Sequence, residues 1–338
     1  MSINARFVRD QYTTLPVPQP PADIANATYI VTGANTGLGL ECATHLVRMG
    51  AKRTILAVRS RSKGSAALSA IRAATGRPDA GEVWDLDLAS PGSVEAFAAR
   101  VSALDRLDGL IANAGVAMSE FRLVEGVETS VMVNVVSTML LAFRTLPKLR
   151  ESARRLGGPT HLVIVSSNTA LEPEMEQSVG ALRGDVFDAL SMEKDFKPFV
   201  QLGIPRLVTS SAESADMFCS RYPKTKLLEI FAVRQLASLL PVSDCGVIIN
   251  AVNPGLCYSE LARNAGAIAR LGLVVIRRVL ARTAEQGSRN LLYAAFAGPE
   301  SHGAYCSECK VREYAFHFFF FSASPAPRNA HRLWSIRL

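Results

Sequence analysis

The stretch "TYIVTGANTGLGLECATHLVRMG", residues 28–50, decides the fold. It opens on a short β-rich run, and after the glycines the apolar positions recur at helical spacing. Between them stands "TGANTGLG", residues 32–39. Gly33, Gly37 and Gly39 remove side chains where the turn is tight and a pyrophosphate must approach the backbone. The helix N-terminus then offers free N–H groups and a partial positive charge. Gly33, Asn35, Thr36, Gly37, Leu38 and Gly39 are therefore candidates to hold a dinucleotide.

The same alternation runs outward. "RTILAVRS" reads as a second strand and "KGSAALSAIRAATG" as a helix; "GEVWDLDL" is a third strand and "PGSVEAFAARVSALD" its helix. "LDGLIANAG", "THLVIVSS" and "GVIINAVNPG" supply three further strands, with a long apolar-periodic helix over 128–150. Strands and helices in this rhythm imply right-handed crossovers. The fold class is α/β: a doubly wound parallel sheet (Rossmann fold), three-layer α/β/α, in a single domain with a flap insert.

Residues 1–24, through "LPVPQPP", read as an extended N-terminal arm, and 25–313 as the Rossmann domain. Within it, 171–219 is an insert expected to carry its own helices, because so long a structureless loop would be unusual. Residues 314–338 are atypical. Phe318 to Phe321 have neither helical nor strand periodicity, and the expectation is translated intron or frameshifted sequence.

With 338 residues and 49% hydrophobic content, the chain can fill a core covered on both sheet faces. The net charge of +7 is spread along the chain, and no basic, aromatic-interleaved stripe appears, so nucleic acid is not an expected partner. Some of that charge is expected to meet an anionic ligand. Six cysteines (Cys42, Cys219, Cys245, Cys257, Cys306, Cys309) in apolar or mixed surroundings suggest reduced thiols in the cytoplasm. "CSEC" at 306–309 lacks a second ligand pair, so no metal is expected. "LGLVVI" at 271–276 falls far short of the ~20 residues that cross a bilayer, and no membrane association is expected.

An NAD-binding chain usually places an acid about 20 residues past the glycines. Here Arg59 stands there, with Ser60 and Lys63 nearby, and suits a 2′-phosphate; the plainer reading is a solvated strand end. NADP(H) is the expected cofactor. "SRYPKTK", residues 220–226, places Tyr222 and Lys226 four apart, on one helix face. A free phenol has a pKa of about 10, too high for easy proton transfer at neutral pH.

In this order "TGANTGLG", "DLDL", "NAG" at 113–115, Asn134, "SS" at 166–167, "YPKTK" and "NPG" at 253–255 resemble a short-chain dehydrogenase/reductase, from about residue 7 to about 313. "LAVRSRSKG", the insert before Tyr222 and "HGAYCSECKVRE" are most similar to the retinol-dehydrogenase-like group and to fungal secondary-metabolite reductases. The resemblance implies that Tyr222 is the general acid, and that Lys226 lowers its pKa and bonds the nicotinamide ribose. It implies that Ser167 holds the substrate oxygen and that Asn134 holds a water relaying protons to Lys226. Ser166 adjoins Ser167, but the family's serine is normally the second of the doublet.

On the cofactor side the resemblance gives Asp87 the adenine amino group and sets Leu88 against the ring. Asn113, Ala114 and Gly115 would line the cleft, Pro254 and Gly255 would border the nicotinamide, and Ser259 would bond the carboxamide. Asp87 as a turn cap and Asn113 as a sheet residue remain alternatives. Ser167 and Tyr222 lie 55 positions apart (222 − 167), against about a dozen in the family, so the insert is expected to reshape the substrate pocket.

The implied function is an NADP(H)-dependent oxidoreductase working on a carbonyl or alcohol of a mostly apolar small molecule, such as a secondary metabolite. Many relatives are dimers or tetramers, and a homodimer is an open possibility. The alternative is a catalytically silent NADP(H)-binding protein that acts as a sensor or interaction partner; a nucleotide-sugar epimerase is a more distant one.

Overall fold

The computed structural model describes residues 3–171, 179, 182, 185–195, 221–258 and 278–312. In chain order, β1 (Thr28–Thr32), β2 (Arg53–Val58), β3 (Glu82–Asp85) and β4 (Gly109–Ala112) alternate with α2 (Gly37–Arg48), α3 (Arg61–Thr75) and α4 (Pro91–Ser102). The arm before them contains α1 (Ile3–Gln11). After a two-stranded ribbon of β5 (Leu123–Val124) and β6 (Val127–Glu128) comes a long helix, α5 (Thr129–Leu156). β7 (Thr160–Val165), α6 (Arg221–Leu239), β8 (Val247–Val252), α7 (Ala284–Phe296), β9 (Tyr305–Ser307) and β10 (Lys310–Arg312) follow.

The main sheet has eight strands in the order β10-β9-β8-β7-β4-β1-β2-β3. All pair in parallel except β10, which returns antiparallel on β9. The chain therefore winds outward in both directions from β1 and β4, and a crevice opens beyond the C-terminal ends of those two strands.

Strand residues alternate between two cores, as a period of two requires. Ile30, Ile55, Leu110 and Leu162 join Phe97, Leu141 and Ile230 on the face covered by α4, α5 and α6. Val31, Leu56, Ile111 and Val163 join Leu46, Ile71 and Leu292 on the face covered by α2, α3 and α7. Local signals set the helix ends. Ser90 accepts from the Ser93 N–H with Pro91 at the first position of α4, and Gly76 ends α3 in the left-handed region. A capping box of Thr283 and Gln286 opens α7. α5 is long and apolar enough to cross a membrane, but 78% of its apolar window is buried inside the protein.

Two expectations need correction. The sheet contains two more strands than the six expected, because "HGAYCSECKVRE" folds as the β9–β10 hairpin. Its turn places Glu308 and Cys309 at φ 51°, where glycine or asparagine is usual, so the turn carried no sequence signal. Glu308 is held there by Arg312 at 2.8 Å and by the Ser307 hydroxyl at 2.7 Å.

The arm is not extended throughout, since its first part is α1. It ends in a clasp. Gln11 Nε2 donates to the carbonyls of Leu256 (2.9 Å) and Leu280 (2.8 Å), and its Oε1 accepts from the Leu256 N–H at 3.0 Å. The Tyr12 hydroxyl donates to the Val279 carbonyl. Gln11→Ala removes all three bonds of the first side chain, and a loss of about 1–3 kcal/mol is expected. Thermal unfolding checks it: an unchanged midpoint would show that the arm rests on the domain without bracing it.

In the insert, the described residues include a helical turn, Val186–Leu190, capped by Asp185. Ser191 and Met192 accept bonds from the Glu128 N–H and the Arg221 side chain, which ties this part to β6 and α6. The rest of the insert, Ser259, Cys219 and the tail 314–338 lie outside the described residues.

Candidate active site

The glycine turn leaves β1 with Gly33 at φ +66° and Gly37 at φ +56°, both in the left-handed region. A Cβ on Gly39 would stand 2.6 Å from both the Asn113 amide nitrogen and the Gly33 carbonyl oxygen. Thr36 caps α2 in an extended conformation, and its side chain makes no capping bond. The first turn of α2 carries no acid. Its N–H groups thus meet no competing carboxylate from their own turn, which suits an anion site. The chain's own residues fit a pyrophosphate at this place.

Gly39→Ala would force backbone or the Asn113 amide to move, and core overpacking of this kind costs typically about 1–3 kcal/mol. Both a lower thermal midpoint and at least tenfold weaker dinucleotide binding are expected. Unchanged dinucleotide affinity by fluorescence titration would show that the turn is not the cradle.

The loop after β4 is laced to this turn. Asn113 Nδ2 donates to the Thr32 carbonyl (2.9 Å), and the Ala114 N–H donates to the Thr32 hydroxyl (2.8 Å). The Asn113 amide thus serves the framework, the plainer of its two readings. Asp87 is half-buried; its Oδ1 accepts from the Ala89 N–H at 2.9 Å, a local cap. The Leu88 side chain is 6% exposed and belongs to the core with Val94 and Phe97. Arg59 and Lys63 are exposed past the end of β2. Arg61, which the sequence reading passed over, pairs with Asp85 at 2.6 Å beside them.

The three residues expected to do the chemistry converge despite their separation in sequence. β7 ends at Val165, so Ser166 and Ser167 lie at the C-terminal edge of the sheet. The doublet is resolved by direction. Ser166 is buried and its hydroxyl donates to the Lys226 carbonyl at 2.8 Å. The Ser167 hydroxyl bonds the Tyr222 phenol and accepts from Thr169 Oγ1 at 3.1 Å.

Tyr222 is 7% exposed and packs against Ala117. Asn134 lies in a π-turn, Met132–Ser137, inside α5; such turns are frequent at functional sites. Its amide bonds Val116 through both atoms and donates to the Thr225 hydroxyl at 3.0 Å, which couples α5 to α6.

Electrostatics depart from the expectation. The Lys226 ammonium donates to the Val165 carbonyl (2.9 Å) and to Glu229 Oε1 (2.8 Å), and stands 5.6 Å from the centre of the Tyr222 ring. The phenol is pushed above the usual range, first by burial and then by the Glu229 charge, with the Ser167 hydrogen bond pulling it down. The expected lowering by Lys226 does not prevail in this arrangement: burial outweighs it, and Glu229 takes up the ammonium. The sequence held a signal for that partner: "KLLE" places a carboxylate three residues past Lys226 on the same helix.

On the other side of the cleft, Pro254 is buried and its carbonyl accepts from Asn290 and Arg282, each at 3.3 Å. Gly255 has φ +83°, and a Cβ there would meet Arg282 Nη1 at 2.5 Å and Gln11 Oε1 at 2.7 Å. Asn253 Oδ1 accepts from the Asn168 and Gly255 N–H groups, so one side chain sets the spacing between the Ser167 loop and the Pro254–Gly255 loop.

A bare glycine cradle, a parallel sheet and a Ser–Tyr–Lys cluster at its C-terminal edge define a Rossmann-fold oxidoreductase. Residues 27–180 match the family model for short chain dehydrogenases. The chain is 41% identical over 297 residues to the short chain dehydrogenase/reductase dmxR8 of Cryptosporiopsis sp., covering 87% of this chain and 85% of that one. It is 37% identical over 315 residues to the short chain dehydrogenase atnD of Emericella nidulans, covering 92% of each. The chain belongs to the short-chain dehydrogenase/reductase family, nicotinamide-binding oxidoreductases of CH–OH and C=O groups.

Solved structures share the fold. The NADPH-bound carbonyl reductase from chicken fatty liver superposes with a TM-score of 0.58 at 17% identity, over 86% of this chain and 99% of that one. A short-chain dehydrogenase from Sphingobium yanoikuyae in complex with NADPH gives 0.55 at 21% identity, over 79% and 83%.

Proposed function

We propose that this chain is an NADP(H)-dependent reductase of carbonyl groups, or the reverse alcohol dehydrogenase, on a mostly apolar small molecule. The observation that carries this reading is the hydrogen bond between the half-buried Ser167 and the buried Tyr222, one helical turn from Lys226, beside a glycine turn whose helix opens without an acid. Gly33, Asn35, Thr36, Gly37, Leu38 and Gly39 would hold the pyrophosphate, Arg59 and Lys63 the 2′-phosphate, and Asp87 the adenine end. Asn113, Ala114, Gly115, Pro254, Gly255 and Ser259 would border the remainder. Bound there, NADP(H) supplies or accepts the hydride.

The chain's own residues handle the proton. The Ser167 hydroxyl donates to the substrate oxygen and offsets charge that develops on it. The Tyr222 phenol gives its proton to that oxygen in reduction and takes it back in oxidation. Burial keeps the phenol protonated at neutral pH, which favours the reductive direction. Asn134 fixes the helix that presents Tyr222 through Thr225, and the π-turn around it suits a water that returns protons to Lys226.

Ala117 against the phenol ring supports an apolar substrate, and a fungal secondary metabolite is the class that the resemblance suggests. The described cysteines are unpaired thiols, Cys42, Cys245, Cys257 and Cys306 among them buried, which supports a cytoplasmic setting. The test is NADPH consumption at 340 nm against a panel of aromatic and alicyclic ketones, aldehydes and quinones. Turnover of at least one class is expected. Tight NADPH binding with no turnover across the panel would turn the reading toward a silent sensor.

A further inference from the structure

Glu229 has no part in the mechanism above, and the fold does not need a carboxylate at its place. It lies seven residues past Tyr222 and three past Lys226 on α6, so the three side chains share one face. It is 1% exposed, between the core residues Leu227 and Ile230. Its Oε1 accepts from the Lys226 ammonium at 2.8 Å, while Oε2 has no hydrogen-bond partner among the described residues. A buried carboxylate satisfied on one side is costly, and an apolar residue would pack there without that cost.

We propose that Glu229 is a positioning residue that sets the charge Tyr222 experiences: ionised, it holds the Lys226 ammonium inward and cancels it; protonated, it releases that charge to the phenol. The inference rests on the reading of Tyr222 as the proton donor. With Glu229 ionised the phenol keeps its proton, and the site is biased toward carbonyl reduction. With Glu229 protonated the phenol ionises more readily, as alcohol oxidation requires.

Among the described residues, the groups facing Glu229 are few. Its own helix brings Lys226 and Tyr222, and the end of β7 brings the uncharged Ser166 hydroxyl. Burial lifts the carboxyl, against the pull of Lys226 and Ser166, to about 7. Both states are then reached near neutral pH.

The test reads the phenol directly and needs no substrate. Protein labelled with [13Cζ]tyrosine contains seven tyrosines, and the Tyr222 resonance is the one lost in Tyr222→Phe. In the wild type it should stay protonated up to the alkaline limit of folding. In Glu229→Gln it should ionise about 1–3 pH units earlier, the shift an uncompensated ammonium at this distance produces. A Tyr222 signal still protonated at that limit in the Gln variant overturns the proposal.

Should Glu229→Gln fail to fold, [13Cδ]glutamate spectra of the wild type and of Lys226→Met read the same pair. One carboxyl must titrate above the rest and rise further when the ammonium is gone; no displaced signal overturns the proposal. Turnover retained in Tyr222→Phe would sink the proton-donor reading instead, and the phenol titration would still report on Glu229.

Discussion

Tyr222→Phe is expected to lower kcat by about 10²–10⁴-fold, the range spanned by a positioned general acid. The ring that packs on Ala117 is kept and only the hydroxyl goes. NADPH affinity should therefore stay within about twofold, and stability should fall by about 1 kcal/mol for the lost bond to Ser167. The check pairs NADPH consumption at 340 nm, on a carbonyl the wild type reduces, with a fluorescence titration of NADPH. Wild-type rates in the variant would remove Tyr222 from the mechanism. Loss of binding together with turnover would make the residue a cofactor ligand first.

Arg59→Asp is the second large effect. Hydrogen bonds to a charged group contribute about 1.5–3 kcal/mol, which corresponds to about 10- to 150-fold in affinity. The reversed charge also repels a 2′-phosphate, so at least 100-fold weaker NADPH binding is expected, with NADH changed only a few-fold. Because Arg59 is exposed, the NADPH preference of the wild type should also shrink as salt is raised. Equal losses for the two dinucleotides would show that Arg59 is a solvated strand end and does not read the phosphate.

What could be read from the chain follows from which signals are local. The glycine turn, the strand–helix rhythm and the Tyr222–Lys226 spacing are short-range patterns, and the fold places them where such patterns must go. The Ser166–Ser167 choice was not local: it depends on how β7 meets α6, residues 60 positions apart at the Ser166–Lys226 bond.

The β9–β10 hairpin was hidden because glutamate and cysteine occupy positive-φ turn positions; Arg282 and Arg312 pair with Glu308, and the Cys309 N–H donates to Asn290. α1 was masked by the Pro-rich run that follows it. Glu229 was visible as a letter but not as a buried one, since burial on α6 is set by packing and not by local sequence. Leu88 shows the converse. Its position in a family motif suggested a place beside the cofactor, and its packing in the core with Val94 and Phe97 was not legible from that motif.

The clasp made by Gln11 bears on how the protein is made. Its bond to Leu280 closes a loop of 269 residues, and the clasp cannot be complete until residue 280 has been synthesised. At roughly 5–20 residues per second, the start of the chain must wait roughly 13–54 seconds for its docking surface to emerge. For most of that interval, until Leu256 is made, the arm has no clasp partner and stays exposed to chaperones and proteases while the sheet assembles behind it. Its docking is therefore a late event in biogenesis, and protection of the arm from a protease during synthesis would mark the moment at which its docking segment, up to Leu280, has emerged.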